Sequence, residues 1–211
     1  MMNIHVGFSI HAMARYLSAQ LRRRALPALL LLLFTVMMPA CASSKPTVVL
    51  LVGGAGLSQL GELGENISAI CPDAEVIETG GWDGFRADVH RIALNHSGQG
   101  LVLIGHSFGC QTIARDAAQI PGIDLVVMID PAWDDITLPP TIRSCFWYQR
   151  SQAGLERTAT IRNGGSPMII ASDHNDICHS PRLISEVTQA VRGISERNAT
   201  QQRIRTMLAP H

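Results

Sequence analysis

The chain has 211 residues, a length that suits one domain, and its 17 basic and 17 acidic residues cancel to a formal net charge of zero. The balance is uneven: residues 1–40 hold four arginines (Arg15, Arg22, Arg23 and Arg24) and no acids, leaving 13 basic against 17 acidic residues beyond. No basic run survives in that remainder, so nucleic-acid binding has no electrostatic support, and about 165 residues are left to bury a real core.

The opening segment reads as a targeting signal covering residues 1–42. Arg22–Arg24 precede an uncharged stretch from Ala25 to Ala42 that contains the run Leu29–Leu33, the order of a secretory signal. Met13 gives a more ordinary signal length than Met1. The segment ends in Met38-Pro39-Ala40-Cys41, which resembles the bacterial lipobox, with Cys41 as the lipidated residue and Pro39 as a departure. Two alternatives stay open. One is cleavage after Ala42, with Ala40-Cys41-Ala42 as the A-x-A site; the other is an uncleaved anchor, since the uncharged stretch approaches the ~20 residues that span a bilayer. The arginine pair is also a weak twin-arginine candidate. All these readings place the domain in the bacterial cell envelope, lipid-anchored, periplasmic or secreted, with the membrane as a partner.

After a polar tether at 43–46, Thr47–Val52 is a continuous β-branched run, the pattern of a central parallel strand covered on both faces. It leads into Gly53-Gly54-Ala55-Gly56, where glycines let backbone N–H groups approach a ligand. That loop lacks the Lys-Ser/Thr of a phosphate loop. Leu57, Leu60, Leu63, Ile67 and Ile70 predict a helix over 57–71, interrupted by Gly61 and Gly64 and ended by Pro72. Glu75–Glu78 reads as a short peripheral strand, and Gly80–Gly84 as a turn whose Trp82 either walls a cleft or packs beneath the loop. Phe85, Val89, Ile92 and Ala93 mark a second helix.

Leu101–Ile104 is again a buried strand, followed at once by Gly105-His106-Ser107-Phe108-Gly109 and by helix-forming composition over Cys110–Ile120. Glycines two before and two after the serine permit a sharp strand-to-helix turn that holds Ser107 strained with its hydroxyl exposed. The bland alternative is a glycine-rich turn with a capping serine. Leu125–Ile129 forms the next buried strand and ends in Asp130-Pro131, Cys145–Tyr148 is aromatic and strand-like, and 151–166 reads as a long loop. Met168–Ala171 is the final strand, running directly into Ser172-Asp173-His174, and Leu183, Val187, Ala190, Val191 and Ile194 define a last helix opened by Ser180-Pro181. The fold class is therefore α/β, a mainly parallel sheet with helices on both faces, with a domain over 47–197 and a tail over 198–211.

If Cys41 carries lipid, Cys71, Cys110, Cys145 and Cys178 remain, an even number in an oxidising compartment. Three pairings are open, with Cys145–Cys178 preferred among them, and four buried free thiols are an equal alternative.

A serine hydroxyl needs a base to take its proton, and the base needs a third group to orient it. With the order Ser, then Asp or Glu, then His, His90 and His96 fall too early and His106 is the variable position of the elbow. His174, just past the final strand, is preferred to His179. Asp130, at the carboxyl end of its strand, is the leading acid, with Asp134 and Asp135 behind it and Glu156 as the alternative in the later loop. Oxyanion donors fall at the amides of Gly54 or Ala55 and of Phe108. Asp173, His174, Asp176 and His179 cluster in sequence, but two histidines five apart do not share a helix face, so a metal is not expected there.

From Thr47 to Val191 these motifs resemble the α/β-hydrolase superfamily, carried by Val48–Gly56, Ile104–Gly109, Val127–Pro131 and Asp173–Ile177. More narrowly, the chain looks like small lipase- or thioesterase-like hydrolases of bacterial envelopes with little or no cap domain. The resemblance implies cleavage of small ester or thioester substrates without a cofactor, through a Ser107–His174–Asp130 triad and a covalent acyl-enzyme. Acyl transfer by the same residues, or a catalytically inactive hydrolase fold serving as a binding module, are the other readings.

Overall fold

Three β-branched runs set the centre of the molecule, which is seen in a computed structural model that describes residues 47–54, 59–80, 86–96, 98–133, 135–151 and 160–209. Strands β1 (Thr47–Gly53), β3 (Leu101–His106) and β4 (Ile123–Ile129) lie side by side, with β2 (Ala74–Gly80) outside β1, and β6 (Cys145–Arg150) then β8 (Met168–Ile170) outside β4. Every pairing in the order β2-β1-β3-β4-β6-β8 is parallel. Alternate residues of the central strands point to opposite faces, which is why the runs are apolar throughout instead of alternating with polar residues.

One face carries Val48, Leu50, Val52, Leu103 and Met128 under α2 (Arg86–Asn95) and α3 (Phe108–Asp116), which contribute Val89, Ala93, Cys110 and Ile113. The other carries Val49, Leu51, Val102, Ile104 and Val127 under α1 (Gly61–Ile70) and α4 (Pro181–Leu208), which contribute Leu63, Ile67, Leu183, Val187 and Val191. Gly64, read from the sequence as an interruption, lies inside α1 and lets it settle on the sheet. A Cβ there would stand 2.8 Å from Leu51 Cδ1. The chain runs from β1 outward to β2 and returns on the opposite side of β1 as β3. That reversal of strand order opens a crevice at the carboxyl ends of β1 and β3, the place where open parallel sheets bind ligands.

Several expectations are corrected. The loop expected over 151–166 contains a strand, β7 (Thr160–Arg162), which pairs in parallel with β5 (Asp135–Thr137) in a separate two-stranded sheet. Their central residues Ile136 and Ile161 are buried in the core, and Leu138 N–H donates to the Arg162 carbonyl at 3.1 Å. α4 runs on to Leu208, through most of the segment assigned to the tail. The Cys145–Cys178 disulfide is not formed and all four described cysteines are free. Cys145 packs against the α2–α3 face and Cys178 within the α1–α4 face, so the sheet separates them. The targeting segment with Cys41, and Ala55, Trp82, Asp134 and Glu156, lie outside the described residues. Among the described residues no helix is long and apolar enough to cross a membrane.

Candidate active site

The turn between β3 and α3 works only with its two glycines. A Cβ on Gly109 would stand 1.9 Å from the Val52 carbonyl oxygen, and one on Gly105 would stand 2.9 Å from both the Cys110 nitrogen and the Gly109 carbonyl carbon. Neither space can be made by moving a flexible side chain. Between them Ser107 sits at φ 55°, ψ −120°, a conformation non-glycine residues rarely adopt and one that persists only where the surroundings enforce it; contrary to the expected exposure, the residue is buried. Its N–H donates to the Ile129 carbonyl at 3.0 Å. Cys110, beneath the turn, donates its Sγ–H to the Gly105 carbonyl at 3.2 Å.

Asp130 follows β4 and is the second strained residue, at φ 41°. Its N–H donates to the Tyr148 carbonyl at 2.8 Å, so the end of β6 holds it while its side chain, 8 % exposed, turns into the crevice. His174 arrives from the loop after β8. Its Nδ1 bonds to Asp130 Oδ2, and its Nε2 lies 3.0 Å from Ser107 Oγ. An ionised carboxylate only accepts, so Nδ1 carries the proton, leaving Nε2 to accept from the serine hydroxyl. Ser107, His174 and Asp130, 67 and 44 residues apart along the chain as pairs with His174, are thus one hydrogen-bonded line.

Two further residues hold this line, and neither has a signature in the sequence. His106, the variable position of the elbow, is buried at 3 % exposure and donates Nε2–H to the His174 carbonyl at 2.9 Å, with the two rings 4.7 Å apart. Burial lowers its pKa to about 4, which keeps it neutral at physiological pH. Arg150, the last residue of β6, places Nε 3.2 Å from Asp130 Oδ2, the oxygen that also receives His174. The His174 loop is pinned by Asp173, whose Oδ1 accepts from the Asn175 and Asp176 N–H groups at 2.9 and 2.8 Å. Those backbone bonds hold the Asp173 carboxyl below the usual carboxylate range.

The remaining expected site residues are placed as follows. Gly54 lies against the serine: a Cβ there would stand 3.1 Å from Ser107 Cβ and 3.4 Å from its Oγ, a tight fit that glycine avoids. Phe108 opens α3, where backbone N–H groups point outward along the helix axis and favour negative charge. His179 turns away from His174, its Nδ1 lying 2.6 Å from Glu62 Oε2, while His96 pairs with Gln99 at 3.3 Å. Asp173, His174 and His179 therefore serve three separate sets of partners. Among the described residues no group of three or more His, Cys, Asp or Glu side chains is arranged to hold a metal ion.

The parallel six-stranded order and the sharp serine turn after β3 define an α/β-hydrolase fold. The chain superposes on Est1E from Butyrivibrio proteoclasticus with a TM-score of 0.50 and 11% identity, covering 77% of this chain and 92% of that one. It is also similar to a yden-like hydrolase from Pectobacterium atrosepticum (TM-score 0.48, 15% identity, 72% of this chain and 95% of that one). A third similar structure is the esterase domain of a Rhodothermus marinus protein (TM-score 0.49, 12% identity, 75% and 89%). No family model matches the chain. No curated protein matches it in sequence either.

Proposed function

We propose that this protein is a serine hydrolase that cleaves ester or thioester bonds through an acyl-enzyme. The observation that carries the reading is the placement of His174 Nε2 3.0 Å from Ser107 Oγ while its Nδ1 is bonded to Asp130. In this scheme His174 takes the hydroxyl proton as Ser107 attacks the carbonyl carbon, and Asp130 orients the ring and stabilises the imidazolium. The amides at Gly54 or Ala55 and at Phe108 stabilise the oxyanion, helped by the positive end of α3. His174 then returns the proton to the departing alcohol or thiol, and water repeats the sequence on the acyl-enzyme. Acyl transfer to an acceptor other than water uses the same steps. The reading needs no cofactor.

The amino-terminal segment supports a companion proposal, that the domain is exported and held at the bacterial envelope through Cys41. Metabolic labelling with a clickable fatty acid tests it: incorporation that Cys41→Ala removes is expected, and a wild-type chain that takes up no label overturns lipidation.

An alkyl fluorophosphonate probe tests the enzyme reading directly. Wild type is expected to label and Ser107→Ala to show no labelling. Folded wild type that does not label would leave the binding-module reading in its place.

A further inference from the structure

Trp133 is the largest exposed aromatic side chain among the described residues, at 60 % exposure, three residues beyond Asp130. A single exposed apolar side chain is ordinary on a protein surface, so what matters here is its place: Trp133 stands against Phe108, the residue that follows Ser107, where apolar and aromatic side chains commonly line ligand sites. Its position is also fixed. The indole meets the Phe108 ring edge-on with centroids 5.8 Å apart, and Phe108 directly follows Ser107. With its amide turned so that the nitrogen faces the carbonyls and the oxygen faces the N–H, the Gln111 side chain donates to the Ser107 carbonyl at 2.8 Å and accepts from the Trp133 backbone N–H at 2.9 Å. Ala132 N–H reaches the same Ser107 carbonyl at 3.4 Å. The backbone that carries Trp133 is therefore tied to the backbone that carries Ser107, and the indole stands against Phe108, the residue after the serine, with most of its surface exposed.

We infer that Trp133 and Phe108 form an apolar platform beside Ser107 that binds the hydrocarbon part of the substrate, selecting medium-chain or aryl esters over acetyl esters of small alcohols. This deepens the hydrolase reading and rests on it. The physical case is that every substrate methylene laid on the ring leaves water together with the ring surface it covers, so affinity grows with chain length up to the edge of the platform. The ester group itself gains nothing from the platform, which places the selectivity in the hydrocarbon alone. An apolar acyl chain and an apolar alcohol have the same chemistry towards an indole, and the substrates chosen must separate them.

The test compares kcat/KM for methyl acetate, methyl octanoate and octyl acetate in wild type, Trp133→Ala and Trp133→Phe, with the fluorophosphonate probe as a check on Ser107. Wild type is expected to prefer one of the two long esters over methyl acetate by about tenfold or more. Preference for the octanoate assigns the platform to the acyl chain, and preference for the octyl ester assigns it to the alcohol. Trp133→Ala is expected to erase most of that preference while changing methyl acetate less than about twofold, and Trp133→Phe to keep it. An unchanged chain-length preference in Trp133→Ala overturns the inference. So does an equal loss on all three esters, which would make Trp133 a support for the serine turn and nothing more. Failure of wild type to label with the probe would instead remove the reacting serine and the platform together.

Discussion

The two ends of the central sheet make the same unusual backbone turn in opposite ways. At the amino ends of β3 and β4, positive φ is taken by Gly98 (87°) and Gly122 (77°), where an added Cβ would meet nothing. At the carboxyl ends of the same two strands it is taken by Ser107 (55°) and Asp130 (41°), which are not glycines. The amino end uses the residue that suffers no strain; the carboxyl end accepts strain to keep a hydroxyl and a carboxylate. Strain of this kind persists only where the surrounding structure enforces it.

The comparison breaks most sharply at Asp130. Replacement by Asn keeps the shape but removes the charge that fixes the His174 tautomer, and kcat/KM is expected to fall by about 10³–10⁴ with little loss of stability. Activity retained within tenfold would mean that another group orients the ring. A smaller effect concerns His106 and is read in stability. An unfolded histidine titrates near 6.5, while the buried His106 stays neutral to about 4, so below pH 6.5 the unfolded chain binds a proton the folded one refuses. Stability is therefore expected to fall as pH drops from 6.5 to 4, by up to about 3 kcal/mol from this group. Denaturant melts should show that slope reduced in His106→Asn, and an unchanged slope would assign it elsewhere. The smallest effect belongs to the amino end: Gly122→Ala should cost about 1 kcal/mol in a thermal melt and leave probe labelling of Ser107 intact.

What could be read from the sequence follows from how local each signal is. The buried runs at Thr47, Leu101 and Leu125 have no competing helical period, and all three are strands. The Gly105–Gly109 turn was legible because its glycines answer a backbone clash within five residues, and the order of Ser107, Asp130 and His174 narrowed the partners that the structure brings together. β5 and β7 escaped notice because three-residue strands carry no periodicity, and their pairing spans more than twenty residues. The cysteine pairing failed because spacing does not reveal which face of a sheet a residue occupies. His106 and Arg150 were invisible for a related reason. One donates to a backbone carbonyl 68 residues away, and the other reaches a carboxylate on a neighbouring strand's end, contacts that leave no local pattern.

The free cysteines have a practical side. Burial pushes the Cys145 and Cys178 thiols up to about 12 and raises Cys110 and Cys71 as well, so at neutral pH hardly any of them is present as the thiolate that exchanges sulfur. A domain in that condition requires no oxidant to mature and no isomerase to sort its bonds. Heterologous production in a reducing cytosol, or refolding from inclusion bodies without a glutathione couple, should therefore yield the same folded material as passage through an oxidising compartment.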